Sequence, residues 1–79
     1  MQKKFKLTRE KKEWLDKTFF RIKALINFGT VKKGELGGFI EKEDNLSQDN
    51  NAWVYGDARV YGDARVYDNA RFYGNVWFY

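Results

Sequence analysis

From Ala52 onward the hydrophobic and polar positions recur every six residues. Ala52-Trp53-Val54-Tyr55-Gly56-Asp57 is followed by Ala58-Arg59-Val60-Tyr61-Gly62-Asp63. Ala64-Arg65-Val66-Tyr67-Asp68-Asn69 and Ala70-Arg71-Phe72-Tyr73-Gly74-Asn75 come next, then Val76-Trp77-Phe78-Tyr79. In an extended chain successive side chains alternate faces, so Ala52, Ala58, Ala64 and Ala70 share a face with Val54, Val60, Val66 and Phe72. That face points inward. The intervening Trp53, Arg59, Arg65 and Arg71, with Tyr55, Tyr61, Tyr67 and Tyr73, are therefore expected to point outward. Gly, Asp and Asn at the fifth and sixth positions tolerate positive φ and mark corners. Identical short strands with identical corners predict a parallel β-helix of hexapeptides, three corners to a coil.

A coil of three hexapeptides places residues eighteen apart over one another, about 4.8 Å along the stack. Trp53 is then expected over Arg71, Arg59 over Trp77, Tyr55 over Tyr73 and Tyr61 over Tyr79, with Val54 meeting Phe72 and Val60 meeting Phe78 inside. An exposed cation–π pair of Arg on Trp contributes roughly 0.5 to 1 kcal/mol.

The pattern upstream differs. Phe5-Lys6-Leu7 alternates, and the run from Thr18 to Ile26 is β-prone with partial alternation. Thr8 before Arg9-Glu10-Lys11-Lys12-Glu13-Trp14-Leu15 also has the form of a capped helical turn. The strand or hairpin arrangement is preferred on the pattern, and such a block is the expected cap for the unpaired backbone groups of an open first coil. Between Asn27 and Asn51 lies a connector with Gly29, Gly34, Gly37 and Gly38. Ile40, Leu46 and Ala52 are six apart, yet Leu46 is two residues out of phase with Val54, which predicts an enlarged corner or a transition between cap and regular coil. The expected organisation is one domain in three parts: a basic, β-rich cap at 1–33, a Gly/Asn-rich transition at 34–51, and the regular hexapeptides at 52–79.

With 79 residues the core is small, and the absence of cysteine leaves no disulfide or thiolate metal site to reinforce it. No transmembrane-length apolar run or signal-peptide core is present, so the expectation is a soluble, cytoplasmic protein. The net charge of +4 is unevenly placed. Eleven Lys and Arg stand against three acids in 1–33, and the hexapeptides balance three Arg with three Asp. Basicity belongs to the cap.

Candidate chemistry is sparse. Asp57, Asp63 and Asp68 lie at different corners and do not supply the six to eight oxygens of a calcium site. Gly34-Glu35-Leu36-Gly37-Gly38 is not followed by the Lys-Ser/Thr of a phosphate loop, and is expected to be a conformational transition. The chain has no histidine. No catalytic residue, metal or cofactor is therefore expected.

Asn27-Phe28-Gly29-Thr30-Val31-Lys32-Lys33-Gly34-Glu35-Leu36-Gly37-Gly38, then Asn45-Leu46-Ser47-Gln48 and the run from Trp53 to Gly62, resembles a family of bacterial and prophage-encoded hexapeptide-repeat proteins. Phe5-Lys6-Leu7-Thr8 and Arg21-Ile22-Lys23-Ala24-Leu25 match its start. The resemblance implies a left-handed β-helix with an N-terminal β cap. Longer members are labelled acyltransferases and generally rely on a histidine base. Here about five hexapeptides replace their many coils, and the groove between long helices that would hold an acyl donor is lost.

The function expected is non-catalytic protein binding in a bacterial host cell, through Trp53, Tyr55, Arg59, Tyr61, Arg65, Tyr67, Arg71 and Tyr73, residue types enriched at interface hot spots. The phage-type resemblance implies a host protein or ribonucleoprotein as partner, with inhibition of a defence nuclease complex, in the manner of anti-CRISPR proteins, as the concrete form. The alternative is nucleic-acid binding, with Lys3, Lys4, Lys6, Arg9, Lys11 and Lys12 on phosphates and Tyr and Trp faces on bases. Trp77, Phe78 and Tyr79, on an incomplete last coil, are expected to mediate self-association, most simply as a dimer.

Overall fold

A computed structural model describes residues 3–74 and the backbone of 77–78. The chain is all-β. β1 (Phe5–Trp14) and β2 (Lys17–Ala24) form an antiparallel hairpin, and β3 (Leu36–Ile40) pairs antiparallel with β2. Four two-residue strands follow: β4 (Trp53–Val54), β5 (Arg59–Val60), β6 (Arg71–Phe72) and β7 (Trp77–Phe78). One sheet has the order β1-β2-β3-β5-β7, and β4 pairs with β6 in a second. Among the described residues no helix is long and apolar enough to cross a membrane.

The N-terminal block takes the strand form and not the helical turn. Trp14 pairs with Lys17 across Leu15 and Asp16, whose φ values of 54° and 59° are those of a type I′ turn, whose twist matches the flanking strands. Between Leu7 and Lys11 the register of β1 slips, so that Thr8, Arg9 and Glu10 bulge opposite Arg21. Thr8 Oγ1 donates to Arg21 O at 2.8 Å and accepts from Glu10 N at 3.2 Å, which fixes the bulge.

The hexapeptide block pairs in parallel at the expected spacing. Trp53 is the partner of Arg71 and Val54 of Phe72, and Arg59 is the partner of Trp77 and Val60 of Phe78, all steps of 18 residues. At three corners the peptide closes by a turn bond, from Ala58 N to Tyr55 O, Ala64 N to Tyr61 O and Ala70 N to Tyr67 O. Gly56, Gly62 and Asp68, and Gly74 at the next corner, take positive φ, the conformation for which Gly and Asp were singled out.

One stretch runs on a longer step. Phe39 pairs with Arg59, Ile40 with Val60 and Leu46 with Val66, each 20 residues apart. The two extra residues fall between Leu46 and Ala52, at a corner where Asn50 has φ 58°. Asn45 braces this region from inside: fully buried, it donates from Nδ2 to Gly62 O at 3.2 Å and Ala64 O at 2.8 Å and accepts from Lys42 N at 2.8 Å. Such a satisfied buried amide holds register, whereas an unsatisfied one costs about 1 to 3 kcal/mol.

The inward face is as the alternation requires from Ala52 to Val66, whereas Ala70, expected on the same face, is exposed and Phe72 is only partly buried. Ala52, Val54, Ala58, Val60, Ala64 and Val66 are buried together with Phe5, Ile22, Ala24, Ile40 and Leu46. Gly37 and Gly38 lie inside β3, not in a phosphate loop or a special turn. A Cβ on Gly37 would stand 2.6 Å from Val54 O, and one on Gly38 2.6 Å from Ala58 O. Their role is close approach of backbones, not unusual φ.

Trp53 corrects one expectation. It is completely buried rather than outward on a solvent-facing ladder. Phe5 and Phe28 meet its ring edge-on, with centroids 6.4 and 5.2 Å away, so the cap covers what the hexapeptide alternation turns outward. Its Nε1 has no acceptor among the described residues.

Lys4 corrects another. It is 2% exposed, and its Nζ donates to Ala52 O at 2.8 Å and, more weakly, to Asp49 O and Asn50 O at 3.4 Å, with the Phe28 ring 4.7 Å away. The β1 start is tied down further by Gln48. Its Oε1 accepts from Lys4 N at 2.7 Å and Phe5 N at 3.2 Å, and its Nε2 donates to Phe5 O at 3.4 Å.

Candidate functional site

The outer face of the five-stranded sheet carries a second aromatic cluster, separate from the core. Pairing puts Lys12 beside Phe19, Trp14 beside Lys17, Arg21 beside Phe39, and Phe39 beside Arg59. These side chains share a face because each strand alternates and the pairs Lys12–Phe19, Trp14–Lys17, Arg21–Phe39 and Phe39–Arg59 keep that alternation in step, outside the register shifts at Leu7–Lys11 and Arg21–Lys23. Trp14 packs edge-on against Phe19 and Phe39, at 5.3 and 5.2 Å, and Phe19 packs against Tyr61 at 5.7 Å.

Cations lie over these rings. Arg59 Cζ stands 3.8 Å from the centre of Trp14, Arg21 Cζ 4.4 Å from that of Phe39, and Lys12 Nζ 5.9 and 5.7 Å from the Trp14 and Phe39 rings. Cation–π attraction here is reinforced by partial desolvation. Arg21 is the most restrained: Nη1 donates to Gly37 O at 2.7 Å, and Nε stands 3.0 Å from Glu10 Oε2 as a charge contact. The bulge in β1 brings Glu10 into that position.

Glu41 closes one end of the face. Its Oε1 accepts from Gly62 N at 2.8 Å and its Oε2 lies 3.4 Å from Lys17 Nζ. The Gly62 amide, and secondarily Lys17 and Lys42, hold its carboxyl below the usual range against the opposing effect of burial. Burial pushes the Lys4 ammonium down to about 8, with Asp49 acting in the opposite direction.

The eight residues expected to form one partner surface are divided among several. Arg59 and Tyr61 join the outer face. Tyr55 and Tyr73 stack as the spacing predicts, centroids 4.6 Å apart and planes 12° apart. Arg65 and Tyr67 line an open groove of about 400 Å³ with Ser47, Asp49, Asn50 and Asp68. Arg71 is exposed, and Trp53 is buried. The contact expected between Arg59 and Trp77, the Tyr61–Tyr79 pair and the self-association set Trp77, Phe78 and Tyr79 fall on side chains outside the described residues.

The six basic residues named for nucleic acid separate in the same way. Lys4 is buried, and Lys3 is held by Glu43 at 2.8 Å. Lys6 and Lys12 lie on the outer face, while Arg9 sits in the bulge and Lys11 alternates to the other side. Sequence reasoning missed Trp14, Lys17, Phe19, Arg21, Lys23 and Phe39. Laying Lys12 and Trp14 against Phe19, Arg21 and Lys23 at hairpin register would have found most of them.

Among the described residues no group of three or more Asp, Glu, His or Cys is placed to hold a metal ion. No protein-family profile matches the chain, and no curated protein does.

Proposed function

We propose that this chain is a non-catalytic binding module, in which hexapeptide repeats of a left-handed parallel β-helix serve as a scaffold and the outer cation–aromatic face docks on a macromolecular partner. The 18-residue parallel steps and the turn at each corner support the β-helix; the left hand is taken from the family resemblance. The observation that carries the binding role is the Arg59–Trp14 stack. It joins the repeat to the hairpin and concentrates cations and rings on one side of the molecule.

Buried rings with Arg at their margin are the composition of interface hot spots. The partner class proposed from the resemblance is a protein or ribonucleoprotein of a bacterial host, bound by occupancy in the way an inhibitor of a defence nuclease acts. The test is capture from a bacterial lysate by the intact chain and by a Lys12→Glu/Lys23→Glu variant whose circular dichroism matches it. A species retained by the first and lost by the second is expected. Identical recovery by both refutes a role for this face.

A further inference from the structure

We propose that the outer face binds single-stranded nucleic acid, with phosphates at Lys6, Lys12 and Lys23 and a base against the Arg59–Trp14 stack. The inference rests on the outer face being the binding face, and names its ligand. Lys6 and Lys23 are direct partners across the hairpin, on the same face. Like charges directly opposite each other destabilise a strand pair. No ion pair engages Lys6, Lys12 or Lys23 among the described residues, whereas Lys17 and Arg21 are held by Glu41 and Glu10. The face therefore carries three uncompensated ammonium groups, two of them set against each other. A bound polyanion relieves that repulsion.

The rings choose among polyanions. Trp14 is half-buried with Lys12 and Arg59 over its ring, Tyr61 is half-buried against Phe19, and Lys6 and Lys23 stand toward the other end of the same face, so a bound strand would run along the hairpin. Single-stranded chains offer bases that stack on aromatic rings and on guanidinium planes, worth about 1 to 3 kcal/mol per base. A duplex keeps its bases stacked inside, and an acidic peptide uses the cations while leaving the rings without a partner. Sheet faces that mix aromatic and basic side chains suit the first ligand best.

The experiment is fluorescence anisotropy with labelled oligo-dT and oligo-rU, a duplex of the same length and a poly-glutamate peptide, over a series of salt concentrations. The expected result is single-strand binding that weakens steeply with salt and exceeds binding to duplex and peptide. Lys6→Ala/Lys23→Ala is expected to make the slope of log K against log salt shallower by about 1.4, from roughly 0.7 per phosphate contact. Its thermal midpoint is expected to be unchanged or raised, since the opposed charges are gone. Arg59→Lys, which keeps the charge and loses the planar group, is expected to weaken binding about tenfold at every salt concentration, as the loss of one stacked base would. Absence of oligonucleotide binding at low salt, equal binding to duplex or peptide, or an unchanged slope in the double variant overturns the inference. Face-dependent capture of a lysate protein together with no oligonucleotide binding overturns the ligand while leaving the docking face. Loss of both overturns the two together.

Discussion

Replacing Lys4 with Met removes the buried ammonium and keeps the unbranched stem that fills the space beside Phe28. In the folded chain the amine titrates at about 8, against 10.5 when free. That difference is equivalent to about 3 kcal/mol of preference for the neutral form. Below pH 8 both folded and unfolded chains hold the proton, so the stability contributed by this group is flat and the cost of burying a charge is fully present. Between pH 8 and 10.5 the unfolded chain retains a proton that the folded chain has released, so rising pH favours the fold. Urea unfolding followed by tryptophan fluorescence, from pH 7 to 10.5, measures this. All other ionisable groups are common to both proteins, so the difference between wild type and Lys4→Met isolates the buried amine. The wild type is expected to gain on the variant by about 3 kcal/mol across that interval. At the alkaline end Lys4→Met is expected to be the weaker by about 1 kcal/mol, because Ala52 O loses its donor. Near pH 7 the order reverses. A difference that stays flat from pH 7 to 10.5 refutes the assignment of a buried, reluctantly charged amine.

Two further expectations concern backbone. Gly37→Ala puts a methyl 2.6 Å from Val54 O, a backbone atom, and 2.7 Å from Ile22 Cγ1, so a loss of about 3 kcal/mol or failure to fold is expected in denaturant titration. Gly34→Ala, at φ 90° with open space around it, is expected to cost only about 1 kcal/mol, and equal effects at both sites would contradict the close-approach account. Leu15 and Asp16 occupy a type I′ turn that favours Asn-Gly, and Leu15 is 61% exposed. Leu15→Asn/Asp16→Gly is therefore expected to raise stability by about 1 to 2 kcal/mol; an unchanged thermal midpoint would show that the turn is not strained.

Period and corner chemistry made the hexapeptide block legible. They placed Ala52, Ala58, Ala64 and the three Val residues inward, though not Ala70, and gave the 18-residue steps, the Tyr55–Tyr73 stack and the two-residue slip after Leu46. The burial of Trp53 was not legible, because alternation states which side a residue takes and not what will cover that side. Arg59 illustrates the same limit. Its backbone partner within the repeat, Trp77, is set by spacing, yet the Trp14 ring it lies over comes from a strand 45 residues earlier, brought there by pairing through β2 and β3. The basic block gave the sign of the charge correctly but not its arrangement, since one Lys of the six went into the core and another into an ion pair.

The tether at the beginning of β1 also orders events in time. Gln48 fixes Lys4 and Phe5, and the carbonyls of Asp49, Asn50 and Ala52 fix Lys4, all more than forty residues downstream. A two-stranded hairpin alone is marginal in water, so during synthesis β1 and β2 emerge before the segment that seats them. Docking waits until the corner before Ala52 has emerged, and the loop that must then close is more than half the chain. Contacts of such long separation slow folding. The start of β1 is thus secured only after the segment it docks on has been made.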